Sequence, residues 1–141
     1  LTAATIACPC GGGNYAQCCG RYHAGDEVAP TALALMRSRY SAYVMDNGAY
    51  LQATWHASTR AAEPIVAEAG LKWLGLDVRR HETEGDSAIV EFVARYKIDG
   101  RAHRLHEVSR FVREPDVAGV SRWFYVDGSF PEKGQLFGDR V

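Results

Sequence analysis

No stretch of the 141-residue chain approaches the ~20 consecutive apolar residues that a membrane-spanning helix requires. Neither charge dominates: 16 Lys and Arg against 17 Asp and Glu leave a net −1, which argues against a dedicated nucleic-acid surface and allows only a local basic patch. The order Ser–His–Asp of a hydrolase triad, a phosphate-binding loop and a dinucleotide fingerprint are all absent, so the common nucleophilic and nucleotide-dependent chemistries are not signalled. The opening LTAATIAC lacks a basic leader and a full apolar core, although its TIAC loosely resembles a lipoprotein cleavage site. A cytoplasmic location is the expectation. Thiols there are usually reduced, and clustered cysteines then point to metal more than to disulfides. No cysteine occurs after Cys19.

What is present is the composition of an ordinary globular domain, 23% charged and 47% hydrophobic. A chain of this length buries roughly two thirds of its unfolded surface and needs no covalent staples. All four cysteines fall within CPCGGGNYAQCC, as Cys8, Cys10, Cys18 and Cys19. Two close pairs separated by a glycine-rich loop suit a tetrahedral zinc ion with thiolate bonds of about 2.3 Å. Gly11, Gly12 and Gly13 let the backbone wrap around the ion and turn amide N–H groups toward the sulfurs. Four thiolates close the coordination shell, so the zinc would be structural. Two disulfides or four free thiols are the competing readings, and His23 could replace Cys19 as the fourth ligand.

Residues 1–24 therefore read as a zinc knuckle, 25–130 as an α+β domain and 131–141 as a C-terminal tail. The body has its own apolar face and turns and is expected to fold without the knuckle. From Thr31, a capping residue, Leu33, Met36, Tyr40, Tyr43 and Val44 recur at helical spacing. Asp46-Asn47-Gly48 stops that helix, residues 49–56 read as a second, and 61–74 as a third with Pro64 in its first turn. The period then changes to two. Strands are expected over 74–84, 87–98, 101–114 and 121–130, with Asp99-Gly100 as a tight hairpin turn. Helices first and a long antiparallel meander afterwards make helices packed on one face of a curved sheet, a cone-shaped cradle with room for a cavity.

CPCGGGNYAQCC resembles the SEC-C motif, a small zinc knuckle, with Gly12 where the motif usually has serine. The segments LMRSRYSAYV, YLQATWH, WLGLDV, FVARYK, HEVSRFVRE and WFYVDG follow in order, and together they are similar to the YchJ-like family of bacterial proteins. The resemblance covers nearly the whole chain. It implies a cone-shaped α+β body of the nuclear transport factor 2 type and supplies no reaction.

In such a cone, Val90, Phe92, Ala94 and Tyr96 form an apolar strand face suited to line the cavity. The next strand has two rows, Leu105, Glu107, Ser109, Phe111 and Arg104, His106, Val108, Arg110, Val112. If the first points inward, Glu107 becomes a candidate general acid or base; if the second does, His106 and Arg110 form an anion site. The helix carrying Arg37 and Tyr40 is expected to face Phe92 and Tyr96, with Trp55 closing one end. Glu107 is expected to pair with Arg37, Arg39 or Arg110. His56 reads either as a helix cap or as a ligand residue, and Asp127 as a turn residue or part of the cavity wall. Two functions compete. One is a binding or adaptor module, presenting the knuckle to a protein partner and holding a small-molecule ligand in the cone. The other is an enzyme acting on a small apolar molecule with His56, Glu107 or Asp127 as acid or base. Nucleic-acid contact is not expected, because Arg21 is the knuckle's lone charged residue.

Overall fold

A computed structural model describes residues 6–131. The expected tail and the first five residues lie outside them, apart from Pro131. Ala7 bridges Asn14 in a small hairpin, a 3₁₀ turn covers Tyr15–Gln17, and α1 (Cys19–His23) follows. Then come α2 (Ala32–Val44) and α3 (Gly48–Ala53), and the strands β1 (Leu71–Glu84), β2 (Ser87–Ile98), β3 (Arg101–Pro115) and β4 (Ser121–Ser129). The strands form one antiparallel sheet in the order β1-β2-β3-β4. This is the expected α+β meander with its helices first.

Local chemistry explains most boundaries. The Thr31 side chain accepts from the Ala34 N–H at 3.0 Å and starts α2. Asp46, at φ 57°, ends it, and Asn47 caps α3 by accepting from the Tyr50 N–H at 3.1 Å. Asp99 and Gly100, at φ 52° and 77°, make the left-handed pair that a two-residue hairpin demands. Asp116 closes the β3–β4 connection by accepting from the Ala118 and Val120 N–H groups, each at 2.9 Å.

The third helix is not formed. Residues 61–70 have no regular structure, and β1 begins at Leu71, paired with Ile98. A helix here would have no face to bury, since Val66 is 77% exposed. Its carbonyls are used elsewhere: the Gln52 side-chain amide donates to Ala61 and Glu63. Gly70, at φ 80°, then turns the chain into the sheet. The second helix is shorter than expected. It stops at Ala53, and Trp55 instead makes a parallel bridge to Tyr125, with His56 N–H donating to the Tyr125 carbonyl at 2.7 Å.

Register shifts at Trp73/Gly75, Val78/Arg80 and Arg110/Phe111 bend the sheet. Its concave face carries Val90, Phe92, Ala94, Phe111, Trp123 and Tyr125 against α2. That helix is covered on both sides, with Leu35, Met36, Ser38, Arg39, Tyr40, Ser41 and Ala42 all buried. The cysteine hairpin and α1 pack on the side away from the sheet. Cys8, Cys10, Cys19 and Tyr22 thereby join the same core cluster as the sheet residues. Knuckle and body share one core.

Candidate metal centre and ligand cavity

The hairpin and the start of α1 bring the four cysteines together. Cys8 N–H donates to the Gly13 carbonyl at 2.7 Å, and Gly11 and Gly13 adopt φ 87° and 117°, values open mainly to glycine. All four sulfurs lie within 4.8 Å of one another and no disulfide joins them. Cys8–Cys10 and Cys10–Cys18 sulfur separations are both 3.6 Å. A tetrahedron of thiolates around zinc, with bonds of about 2.3 Å, has edges of roughly 3.8 Å. The donor set therefore fits such an ion with little movement.

The surroundings favour a thiolate at Cys10 and oppose one at Cys18 and Cys19. Hydrogen bonds from Cys19, and then Cys8, Cys18 and the Gly12 amide, hold Cys10 down at about 4 against the opposing effect of burial. Burial, with the Cys10 charge adding to it, pushes Cys18 up to about 11, while Cys19 is raised first by its hydrogen bond to Cys10. A dication would stabilise all four sulfurs as thiolates. From α2, Ser41 Oγ lies 3.5 Å from Cys8 Sγ, and Arg37 Nη1 donates to the Cys10 carbonyl at 3.1 Å. His23 is occupied elsewhere. Its Nδ1 meets the Tyr15 hydroxyl at 2.6 Å and its Nε2 the Ser38 carbonyl at 2.8 Å, leaving neither nitrogen for a metal.

On the other side of α2 is a cavity of about 60 Å³. Met36, Arg39, Tyr40 and Tyr43 of the helix cover it; Trp73 of β1, Phe92 and Ala94 of β2, Leu105, Glu107, Ser109 and Phe111 of β3, and Tyr125 of β4 complete the wall. The row containing Glu107 is the inward one. Of the candidates singled out from the sequence, Tyr40, Phe92 and Glu107 line this cavity.

The others are placed elsewhere. Arg37 faces the cysteine hairpin. Trp55 packs edge-on against Tyr125 at 6.1 Å and lines a neighbouring groove. His56 bonds Glu114 at 2.9 Å and Ser58 at 2.7 Å. Tyr96 packs between Trp73 and His103 at the end of the sheet. Arg110 and Asp127 form a two-pronged ion pair, both bonds 2.7 Å, on the outer face.

Glu107 has no arginine partner at ion-pair distance among the described residues, contrary to expectation. Its Oε2 accepts from the Ser109 hydroxyl at 2.9 Å and the Tyr125 hydroxyl at 3.1 Å. Alternation along β3 puts Arg110 on the opposite face, and Arg37 lies on the wrong side of its helix. Arg39 does reach the cavity, but its Nη1 is tied to the Leu51 carbonyl and Thr54 Oγ1, both at 2.7 Å. Its guanidinium lies 4.6 Å over the Tyr125 ring. Burial pushes the Arg39 pKa down, opposed by Tyr43, Tyr125 and Glu107, and an arginine so placed stays protonated. Gly128 makes room for the glutamate, since a Cβ there would overlap its carboxyl group.

Tyr125 is not singled out by the sequence, and Arg39 enters only as one of three partners expected for Glu107, not as a cavity residue. The signal for Arg39 was available: it falls three residues after Met36 and four before Tyr43, on the stripe that faces the sheet. Tyr125 shares its face of β4 with Trp123, but nothing local distinguishes the inward row there.

A curved antiparallel sheet roofed by a buried helix, with a four-cysteine hairpin packed on the helix's far side, defines a cone-type α+β protein with a SEC-C-like centre. Residues 31–128 match the family described as "YchJ, middle NTF2-like domain", and the chain belongs to that family. It is 58% identical over 134 residues to a UPF0225 protein of Ralstonia nicotianae, covering 89% of this chain and 92% of the relative. A UPF0225 protein of Chromobacterium violaceum is 55% identical over 131 residues, covering 89% and 93%. The solution structure of a SEC-C motif containing protein from Rhodopseudomonas palustris superposes with a TM-score of 0.74 at 30% identity, covering 89% of this chain and 98% of that one. A second such protein, from Psychrobacter arcticus, gives 0.70 at 26%, covering 99% and 80%. The four cysteines could hold a metal ion. No helix among the described residues is long and apolar enough to cross a membrane.

Proposed function

We propose that the protein is a binding or adaptor module built around a structural zinc ion, with Cys8, Cys10, Cys18 and Cys19 as ligands and a small-molecule site in the cone. The observation that carries this reading is the convergence of four sulfurs within 4.8 Å, at separations close to a thiolate tetrahedron's edge. Four sulfur ligands leave no position for substrate or water, so the ion would supply folding energy and a rigid knuckle rather than Lewis-acid catalysis. Ser41 and the Gly12 amide would orient and neutralise the sulfurs, as outer groups around metals commonly do. The outward face of the knuckle, where Gly11–Gly13, Ala16 and Gln17 are exposed, is the uncharged surface it would offer a protein partner.

Binding is favoured over proton transfer by the dispersal of the candidate acid–base groups. His56 is hydrogen-bonded to Glu114 and Asp127 is paired with Arg110, both outside the cavity, and Glu107 shares it with an arginine that cannot exchange a proton near neutral pH. Elemental analysis of protein purified under reducing conditions without chelator tests the zinc assignment, with about one zinc per chain expected. Absence of zinc together with four titratable thiols in the native protein would refute it.

A further inference from the structure

The cavity under α2 holds two opposite charges that do not meet. Arg39 and Glu107 are 6% and 5% exposed and line the same 60 Å³ space. Opposite charges in a low-dielectric interior attract strongly. Here each is tethered away from the other: Arg39 by Leu51 and Thr54, Glu107 by Ser109 and Tyr125. The bonds of Arg39 all fall on Nη1 and those of Glu107 all on Oε2. That leaves Arg39 Nε and Nη2 as donors and Glu107 Oε1 as an acceptor, without partners among the described residues. The rest of the wall is apolar or aromatic, with Met36, Phe92, Ala94 and Leu105 prominent.

A ligand bridging this gap must donate to a carboxylate and accept from a guanidinium. An anion would meet the charge of Glu107 and a cation that of Arg39, so a neutral group suits both. The volume accommodates about four waters or a molecule of roughly six non-hydrogen atoms. Tyr43 and Trp73 also border an adjoining groove of about 800 Å³.

We propose that this cavity binds a small neutral primary carboxamide on a short branched apolar chain, its carbonyl accepting from Arg39 and its N–H donating to Glu107. This rests on the reading that the cone holds a small ligand, and it names the chemistry of that ligand.

Three probes of nearly identical shape test it: isobutyramide, isobutyrate and 3-methylbutan-2-one. Binding is followed on the full metal-loaded chain by two-dimensional NMR titration, with shifts expected at Trp73, Phe92 and Ala94. Isobutyramide should saturate these shifts at pH 7. The ketone, which lacks the donor, and isobutyrate, which adds a charge, should each bind about tenfold more weakly. In Glu107→Gln only the arginine charge remains, and the preference should reverse toward isobutyrate. If that variant fails to fold, Ser109→Ala, which frees a lone pair of the carboxylate but keeps its charge, should retain the preference for the amide. Equal binding of amide and ketone, or stronger binding of isobutyrate to the wild type, would overturn the inference while leaving a ligand-holding cone. Shifts from none of the three would overturn both.

Discussion

Replacing Gly128 with alanine puts a methyl group where the Glu107 carboxyl lies. The new Cβ would stand 2.7 Å from Cδ and 2.8 Å from Cγ of Glu107, well inside van der Waals contact. β4 is paired to β3 on this stretch, with Ser109 opposite Gly128, so the backbone cannot easily retreat. Glu107 must therefore swing away and give up its bonds to Ser109 and Tyr125. Hydrogen bonds to a charged group contribute about 1.5–3 kcal/mol each, and alanine returns roughly 0.5–1 kcal/mol through the unfolded chain. Allowing for water reaching the displaced carboxylate, we expect a net loss of about 2–4 kcal/mol. Urea unfolding at pH 7 measures it as a lower midpoint at unchanged slope. The same substitution in a Glu107→Ala background removes the clash and should be neutral or slightly stabilising. A wild-type background that tolerates Gly128→Ala, or equal costs in the two backgrounds, would refute this account of how the cavity floor is held.

Metal removal should lower thermal stability cooperatively, because Cys8, Cys10 and Cys19 belong to the common core; differential scanning calorimetry with and without chelator checks this, and Cys10→Ser should mimic it. Deleting residues 1–24 strips Cys19 and Tyr22 from α2 and leaves Ser38 and Ser41 facing water; we expect near-UV circular dichroism to show loosened packing where a fully separable knuckle would leave it unchanged. The Val120 N–H bond, and then that of Ala118, hold Asp116 below the usual carboxylate range. Its folded-state pKa is depressed, so its contribution is complete above its ordinary value of about 3.8 and disappears as pH falls through the lowered one. Asp116→Asn should therefore be less stable than wild type in urea at pH 7 and indistinguishable from it at the acid end.

Local chemistry made much of this molecule legible. The alternation over 87–98, the Asp99-Gly100 turn and the Thr31 cap each act within a few residues, and all three are observed where the chain alone suggests them. The cysteine cluster was legible for the same reason, its four sulfurs coming from within twelve residues. What failed depends on distant partners. Residues 61–74 carry a helical composition, but Gln52 and Ile98 recruit this stretch into an extended path and an edge strand. The choice of Arg37 over Arg39 failed because α2 is buried on two sides, so hydrophobic periodicity gives no single inward direction. Glu107's hydroxyl partners come from β3 itself and from β4, eighteen residues away, and arginine was the wrong chemistry to seek.

The parallel bridge between Trp55 and Tyr125 has a consequence for how copies of this protein meet. An open meander exposes two rows of unpaired backbone groups, and either can recruit a strand from another chain. On the β4 side the segment Thr54–His56 occupies the middle of that row, accepting from the Tyr125 N–H and donating to its carbonyl. On the β1 side two irregularities interrupt the run, and Asp77, Arg79, Arg80 and Glu82 line it with paired charges. Among the described residues neither rim offers a long, flat, apolar template. The sheet is thus guarded against growing edge to edge, and a chain stretch that reads from sequence as the end of a helix serves as one of the guards.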